Sequence, residues 1–522
     1  MGIPLLVRVK MRGLAVAAVV ALSGLSLIGL ASAASAAPGP AKAYDFNGDG
    51  FTDVAIGSPY GKVSGVQYAG FVNIIYGSAS GPNTGKVQVF SQSSLNVPGA
   101  PETSDHFGYS LTSGDYDQDG FADLAIGVPD EDTTSGANAG IVEFLWGTPS
   151  GLVAVADEAA GSTGEPGVPG ANHRFGETLA GGDIERDGSP EMFYTVPGTS
   201  QFGWFFYGSA VTAKAGTART PHPGKQLSRA SAKTVKTLKG ASVDVGTLSA
   251  TDVSNSWLAT GDVTGDDLED LVYAWYDADA ATAAEQHGFV VFPGTATGAL
   301  NDATAVGVVG VDCNAVTVGD FSGDGFADVA LGQTADANHL GGQVAVFKGA
   351  AGNISPAPSG FYVLNQDTPS VPGVGEAGDA FGASVAAADI DHDGFLDLLV
   401  GAPTEDVDSA ADAGGSWVFY GTAAGLTGAG SVGITQNTEN IPGASEAGDK
   451  MGTQVSLLDN TNDGFVDGLV GSPAENAGDG MITWLKGAAA GITTVGAKAI
   501  TADQFGVTGV KAEIGRRIGR LG

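Results

Sequence analysis

The stretch Asp115-Tyr116-Asp117-Gln118-Asp119-Gly120-Phe121-Ala122-Asp123 predicts the architecture of the whole chain. Its oxygen-bearing side chains stand at relative positions 1, 3, 5 and 9, and a glycine stands at position 6, where the chain must turn sharply. Hard cations such as Ca²⁺ take about six to eight oxygen ligands, and acidic residues alternating around a glycine turn supply them from a short segment. The stretch therefore predicts a calcium-binding loop.

The same pattern occurs seven times. The loops begin at Asp45, Asp115, Asp183, Asp262, Asp320, Asp389 and Asp459, with successive spacings of 70, 68, 79, 58, 69 and 70 residues. A short apolar segment that ends in glycine, such as Val54-Ala55-Ile56-Gly57, follows most of the loops and is typical of a buried strand. A period near 70 suits a four-stranded propeller blade with long loops. The sequence therefore predicts an all-β fold, a seven-bladed β-propeller over residues 37–522.

Two further markers flank the loops and carry a family resemblance. Phe107-Gly108, Phe175-Gly176, Phe381-Gly382 and the variant Met451-Gly452 precede four of them, and Gly401-Ala402-Pro403 follows one. This order resembles the FG-GAP repeat of integrin alpha-subunit propellers and their bacterial relatives. The resemblance implies the propeller fold, and it implies that the face opposite the calcium loops meets partners. It says less about function, because one fold hosts many functions.

The two ends of the chain predict that the ring is closed by the C-terminus. No Phe-Gly pair precedes the first loop, whereas Phe505-Gly506 and the segment Ile514–Gly519 follow the last blade. A C-terminal strand that completes the first blade would leave no open sheet edge between the first and last blades.

An EF-hand is excluded by position 12, where that motif requires a bidentate glutamate between two helices. The residues at this position are all apolar or aromatic: Ile56, Ile126, Tyr194, Tyr273, Leu331, Val400 and Val470. Each loop is therefore predicted to connect two strands.

The predicted calcium ligands are the side chains at positions 1, 3, 5 and 9 and the backbone carbonyl at position 7. They are Asp45, Asn47, Asp49, Phe51 and Asp53; Asp115, Asp117, Asp119, Phe121 and Asp123; Asp183, Glu185, Asp187 and Glu191; Asp262, Thr264, Asp266, Leu268 and Asp270; Asp320, Ser322, Asp324, Phe326 and Asp328; Asp389, Asp391, Asp393, Phe395 and Asp397; and Asp459, Thr461, Asp463, Phe465 and Asp467.

Up to seven Ca²⁺ ions are thus expected, but the seven loops differ. The loop at Asp183 uses the longer Glu185 and Glu191, and the loop at Asp262 has Asp267 in place of the turn glycine, so both are predicted to be weaker sites. The alternative for every loop is a polar turn in which aspartates cap their own backbone. The phenylalanine rings at position 7 are expected to face the blade core.

The N-terminal segment predicts export. Arg8, Lys10 and Arg12 precede an apolar stretch and small-residue cleavage sites, so residues 1–36 are predicted to be a secretory signal peptide, although an uncleaved membrane anchor stays open. The mature protein is accordingly expected to be secreted. Cys313 is the only cysteine, so no internal disulfide can form, and a buried, inert thiol is expected.

Composition and motifs bound the function. The formal net charge of −35 argues against nucleic acid or an anionic membrane as partner. The chain has no G-x-S-x-G, H-E-x-x-H or phosphate-loop motif. We therefore expect a monomeric extracellular binding or adhesion module with an unidentified protein or glycan ligand, and the alternatives are an extracellular hydrolase or a lectin. The acidic loops around Glu131, Glu405, Asp406, Asp408 and Glu475 are expected to form either a solvated, solubilising surface or a docking face for a cationic protein or glycan. The basic residues 211–240 are expected to form an exposed insertion, and the alternative is a contact with an anionic cell-wall polymer.

Overall fold

The structure is a computed structural model. It describes residues 41–160, 170–188, 190–197, 201–206, 222–223, 227–228, 234–237, 242–244, 255–277, 286–297, 300, 306–309, 311–354, 360–507, 509 and 511–520. The predicted signal peptide, Ser189 and most of the basic residues 211–240 lie outside these ranges. Within them, no helix has the length and hydropathy needed to cross a bilayer.

The chain folds into successive antiparallel sheets, as expected for a propeller. The strands of the first two blades are β1 (Val54–Ser58), β2 (Phe71–Tyr76), β3 (Asn83–Phe90), β4 (Ser110–Gly114), β5 (Asp123–Val128), β6 (Ile141–Trp146) and β7 (Val153–Ala160). The next sheet holds β8 (Leu179–Gly182), β9 (Glu191–Val196), β10 (Gln201–Phe206), β11 (His222–Pro223) and β12 (Leu227–Ser228). It is followed by β13 (Thr234–Thr237), β14 (Ser242–Asp244), β15 (Asn255–Gly261), β16 (Asp270–Tyr276), β17 (His287–Phe292) and β18 (Val306–Val309).

The second half of the chain is more regular. Its strands are β19 (Ala315–Gly319), β20 (Asp328–Gln333), β21 (Gln343–Phe347), β22 (Gly349–Ala350), β23 (Asn353–Ile354), β24 (Phe361–Leu364), β25 (Ser384–Ala388), β26 (Asp397–Ala402), β27 (Gly415–Phe419), β28 (Val432–Ile434), β29 (Val455–Leu458), β30 (Asp467–Ser472), β31 (Met481–Lys486), β32 (Thr493–Thr501) and β33 (Arg517–Ile518). A four-residue helical segment at Glu475–Gly478 and a 3₁₀ helix at Ala502–Phe505 complete the described elements.

The propeller fold is confirmed, but the predicted count of seven blades is wrong. Six sheets contain a complete four-stranded antiparallel blade, and the sheet built on β8, β9 and β10 does not. Among the residues that the structure describes, it has beyond β10 only the two-residue segments β11 and β12, which pair with different parts of β10. The cause lies in the 79-residue interval between Asp183 and Asp262, where polar and basic sequence replaces the apolar alternation of an outer strand. Two segments of this interval, β13 and β14, instead extend the next sheet beyond β18.

The core consists of the central strands of each sheet. Every residue of β1, β5, β20, β26 and β30 is buried, whereas the outer strand β3 is largely exposed or half-buried. A strand covered on both faces by neighbouring blades must be apolar along its whole length, which explains the short continuous apolar runs after the loops.

Cys313 is buried, as predicted, but it lies two residues before β19 and not on a strand. Its Sγ lies 3.5 Å from the carbonyl oxygen of Ala315. Burial raises the pKa of this thiol, so the thiolate that reacts with oxidants is disfavoured.

The predicted closure by the C-terminus is confirmed. Strand β33 pairs with β1, placing Ile518 opposite Ile56, and so supplies the innermost strand of the first blade. The Gly519 amide donates to the Ala55 carbonyl at 2.8 Å, and the Tyr44 hydroxyl donates to the Arg520 carbonyl at 2.9 Å. Strands from opposite ends of the chain thus share one sheet.

Four of the five phenylalanine rings at position 7, those of Phe121, Phe326, Phe395 and Phe465, lie against the preceding loop, so the expectation that they face their own blade core is wrong. All five rings are half-buried. A Cβ placed on Gly48, at position 4 of the first loop, would lie 2.7 Å from the Phe121 ring of the next loop, and Gly323 has the same relation to Phe395. The His392 ring, also at position 4, contacts Phe465 with centroids 5.6 Å apart. Position 7 of each of these loops therefore packs on position 4 of the preceding loop.

Removing the closing strand is expected to destabilise the ring. We predict that deleting residues 510–522 sharply lowers the melting temperature, and that Ile518→Ala costs about 2–4 kcal/mol because it leaves a cavity at a buried position. The control is Val432→Ala on the exposed outer strand β28, which should change stability little. An unchanged melting temperature after the deletion would contradict closure by β33.

The contact between neighbouring loops can be tested with two glycines of one loop. Gly323 and Gly325 both have positive φ, 67° and 86°, but a Cβ at Gly325 meets no atom within 4 Å. Gly323→Ala should therefore lower the free energy of unfolding by about 1–3 kcal/mol more than Gly325→Ala, measured by urea denaturation in EDTA. The additional substitution Phe395→Leu should remove most of this difference. Equal losses in the two alanine variants would show that the ring contact is unimportant.

Candidate metal-binding loops

The acidic loops lie where each blade passes from its innermost strand to the next. The loop of Asp115 to Asp123 joins β4 to β5, and the loop of Asp389 to Asp397 joins β25 to β26. The first loop is the exception, because its innermost strand is β33 and Asp45 to Asp53 simply leads into β1. Helices flank none of the seven, so the structure confirms that they are not EF-hands.

The seven loops share the same backbone geometry at two turn positions. Position 4 and position 6 have positive φ in every copy, including Gln118 at 58° and Asp267 at 69°. In the loop at Asp115, the amides of Asp119 and Gly120 donate to the two carboxylate oxygens of Asp115 at 3.0 and 3.1 Å. The Phe121 amide donates to Asp119 at 3.0 Å. The loop is thus shaped by its own acidic side chains, and Asp267 adopts the turn geometry that glycine adopts elsewhere.

Carboxylate oxygens converge most closely in the two loops that have four acids. Oxygens of Asp115, Asp117 and Asp123 lie within 4.8 Å of one another, and so do those of Asp389, Asp391 and Asp397. The position-5 residues Asp119 and Asp393 are not part of these groups.

Like charges at this separation repel one another unless a cation neutralises them. In the second group, Asp391 Oδ1 is buried and has no hydrogen-bond partner among the described residues. An oxygen-only donor set with a buried unpartnered acceptor fits a hard cation such as Ca²⁺.

The position-9 carboxylate has a second, structural contact. Asp397 accepts the Ile390 amide at 2.7 Å and the Gly421 amide at 2.8 Å, so it ties its own loop to the turn that follows β27. Burial raises its pKa to about 7, and burial raises the pKa of the equivalent Asp53 to about 8. The rise in pKa caused by burial is thus larger than the fall caused by the backbone hydrogen bonds. A bound cation would favour the ionised form of these carboxyls.

The other five loops bring together fewer acids. Asn47 and Ser322 occupy position 3 in the loops at Asp45 and Asp320, and the Ser322 hydroxyl is buried without a partner in the described part of the chain. In the loop at Asp262, the Thr264 hydroxyl contacts Asp270 at 3.4 Å. In the loop at Asp183, Glu185 does not join a three-acid group with Asp183 and Glu191.

The last loop has a feature that the sequence analysis missed. Lys486 Nζ lies 3.1 Å from Asp463, and Lys42 Nζ lies 3.8 Å from Asp459. Protein cations therefore already contact two acids of this loop. The signal was present in the sequence, because Lys486 stands before a glycine at a position where several other blades have an aromatic residue.

On the opposite face, the glutamates expected to dock a partner are partly structural. Each of three glutamates accepts a hydrogen bond from a glutamine of the preceding blade. Gln92 donates to Glu131 at 2.7 Å, Gln366 to Glu405 at 2.8 Å and Gln436 to Glu475 at 2.8 Å. Burial raises the pKa of Glu131 and of Glu405 to about 7. The constant separation of 39 residues between the partners could have revealed these ties in the sequence. Glu405 is thus half-buried, while its neighbours Asp406 and Asp408 are exposed.

Comparisons with known proteins agree with this architecture. A family model of the FG-GAP repeat matches residues 39–90, 107–142 and 381–419. Integrin alpha-PS2 of Drosophila melanogaster is 27% identical over 221 residues, which are 41% of this chain and 14% of that protein. Integrin alpha-3 of Cricetulus griseus is 29% identical over 167 residues, 31% of this chain and 14% of that protein. The matched segment therefore spans about a seventh of the length of these relatives.

Among solved structures, a protein from Lactobacillus plantarum aligns with 84% of this chain and 94% of its own length, at 12% identity and a TM-score of 0.43. The matched repeats coincide with the first, second and sixth acidic loops, each of which leads into a buried strand. The chain is therefore an FG-GAP repeat protein with an integrin alpha-like propeller.

Proposed function

We propose that this protein is a secreted, calcium-loaded propeller that acts as an extracellular binding or adhesion module for a protein or glycan. The observation that carries the calcium assignment is the convergence of three carboxylates within 4.8 Å in each of two loops. The similarity to integrin alpha subunits supports a binding role. The predicted signal peptide supports secretion.

In this proposal, calcium has a structural role. Asp389, Asp391 and Asp397 would hold one ion, with the carbonyl of Phe395 as a further ligand, and the loop at Asp115 would hold another in the same way. The ion would supply positive charge that offsets the repulsion among the carboxylates, so binding would stabilise the folded state. The loops that depart from the pattern, at Asp183 and Asp262, would bind more weakly, and Lys486 would weaken the site at Asp459.

Calcium removal is the direct test of this role. We expect EDTA to lower the melting temperature by several degrees, because one site at a hundredfold excess of ligand over Kd contributes about 2.7 kcal/mol. The double variant Asp389→Asn/Asp391→Asn should bind one Ca²⁺ fewer in isothermal titration. Its control, Asp406→Asn/Asp408→Asn, changes exposed acids at the other end of the same blade and should bind as many ions as the wild type. A melting temperature that is insensitive to EDTA would refute the calcium assignment.

The proposed docking surface is the exposed acidic part of the opposite face. Hydrogen bonds join its loops into one surface, including Asn437 to Asp408 at 3.1 Å and the Gly448 amide to the Ala411 carbonyl at 2.9 Å. Its exposed acids are Asp367, Glu376, Asp406, Asp408, Asp412, Glu439 and Glu446. Such a field favours and steers a cationic partner, and its contribution falls as salt rises.

The docking surface can be tested by charge reversal. Asp406→Lys/Asp408→Lys should abolish capture of a cationic partner from extracellular material, because the reversal replaces attraction by repulsion while leaving the half-buried Glu405 intact. The control Ser80→Lys/Ser150→Lys adds positive charge to exposed turns on the calcium-loop face and should preserve capture. Retained capture by the reversal variant would contradict this surface. Calcium-dependent binding on a glycan array would favour the lectin alternative, and bond cleavage in the captured material would favour the hydrolase.

A further inference from the structure

A cavity of about 300 Å³ lies where the innermost strands converge, at the end of the ring opposite the acidic loops. Every sheet except the two-stranded pair of β22 and β23 contributes to its wall. The contributing segments are 109–111, 177–179, 255–257, 314–315, 383–384, 453–454 and the closing residues Arg517, Ile518 and Arg520. Pockets that hold small ligands begin at about this size. The cavity is distinct from the metal-binding loops and from the exposed acids of the docking surface.

Arg517 and Arg520 both line this cavity, and neither forms a salt bridge with a carboxylate in the described part of the chain. Arg517 is held in place, because its Nε donates to the Tyr109 carbonyl at 2.9 Å and its guanidinium lies 4.7 Å from the centre of the Tyr109 ring. The Arg520 guanidinium makes one long hydrogen bond among the described residues, from Nη1 to the Val385 carbonyl at 3.5 Å. The nearest acid in the same wall is Glu177, which interacts electrostatically with Arg517 but forms its salt bridge with Arg174, so the two arginines leave positive charge that can attract an anion.

Two buried oxygens in the same wall have no hydrogen-bond partner among the residues that the structure describes. Glu177 Oε1 accepts a hydrogen bond from Arg174 Nη1 at 2.5 Å. Glu177 Oε2 has no such partner, although the residue is only 5% exposed. The Ser256 hydroxyl is also unpartnered and buried. Leaving such atoms unsatisfied destabilises the fold, so a ligand that provides hydroxyl donors would relieve that cost.

We propose that this cavity binds a small hydroxylated carboxylate of the sugar-acid class. The carboxylate would lie against Arg517 and Arg520, whose planar forks suit that group, and hydroxyls of the ligand would donate to Glu177 and Ser256. Burial lowers the pKa of Arg520 and the charge of Arg517 adds to this effect, and a bound anion would offset both. The site does not depend on the proposed calcium or docking roles.

The test uses the full-length secreted protein in calcium buffer and isothermal titration with three probes. D-glucuronate should bind, D-glucose, which lacks the carboxylate, should bind at least about tenfold more weakly, and inorganic phosphate should also bind more weakly because it cannot satisfy the buried oxygens. Equal binding of glucose and glucuronate would overturn the role of the arginines. Phosphate binding as tight as that of glucuronate would overturn the sugar-acid assignment.

Variants locate the binding. Arg520→Gln should weaken glucuronate binding by about tenfold or more, whereas Arg516→Gln, which removes a neighbouring arginine that pairs with Glu513 outside the cavity, should leave it unchanged. Because Arg520 lies in the closing segment, Ser256→Ala is a second variant with little risk to folding, and it should weaken glucuronate binding more than phosphate binding. Glucuronate binding that survives in both Arg520→Gln and Ser256→Ala would place the site elsewhere and refute the proposal.

Discussion

The blade-to-blade approach of two glycines is the contact on which the ring depends. A Cβ on the glycine inside a buried second strand would lie between 1.8 and 2.1 Å from the carbonyl oxygen of a glycine in the next blade. The pairs are Gly57 with Gly108, Gly127 with Gly176, Gly332 with Gly382, Gly401 with Gly452, and Gly471 with Gly515. Neither backbone can move away without separating the apolar strands, so any side chain at the first position would force the blades apart. The Phe-Gly marker and the glycine after each apolar run are therefore two halves of one contact.

On the acidic-loop face, a second contact maintains the same spacing. The Ala122 amide donates to the Asp45 carbonyl at 3.1 Å, and the Leu396 amide donates to the Asp320 carbonyl at 3.1 Å, so position 8 of one loop bonds position 1 of the loop before it. The position-7 rings pack at the same junction. Each loop thus shapes its own carboxylates and also contacts its neighbour. If a cation orders one loop, it orders part of the boundary between two blades, which is how a chain without disulfides could be stabilised around its whole circumference.

Features that recur at fixed offsets could be predicted from the sequence, whereas features that depend on one neighbour could not. The spacing of the acidic residues in Asp115 to Asp123 predicted the loops, the strand pairs that they connect and the family resemblance. The absence of a Phe-Gly pair before the first loop predicted the closing strand. The polar interval after Phe206 has no repeat partner, so the incomplete third sheet was not foreseen. The sequence of its own loop allows the Phe395 ring to face either the blade core or the preceding loop. The ring packs against the preceding loop because Gly323, with positive φ and no side chain, leaves space for it there. Lys486 and Glu405 find partners in other segments, which spacing within one repeat does not reveal.

The closing segment links the stability of the ring to the cavity at its centre. Ile514 lies against Gly480 as Phe107 lies against Gly70, so the last blade receives the same contact as the others. The residues that follow then pair with β1, and the same short stretch carries Arg517 and Arg520 into the cavity. An open ring would lack both arginines and one wall of the cavity. Any ligand that binds there therefore stabilises the closed form, because it binds the folded ring and has no affinity for a ring whose ends have separated.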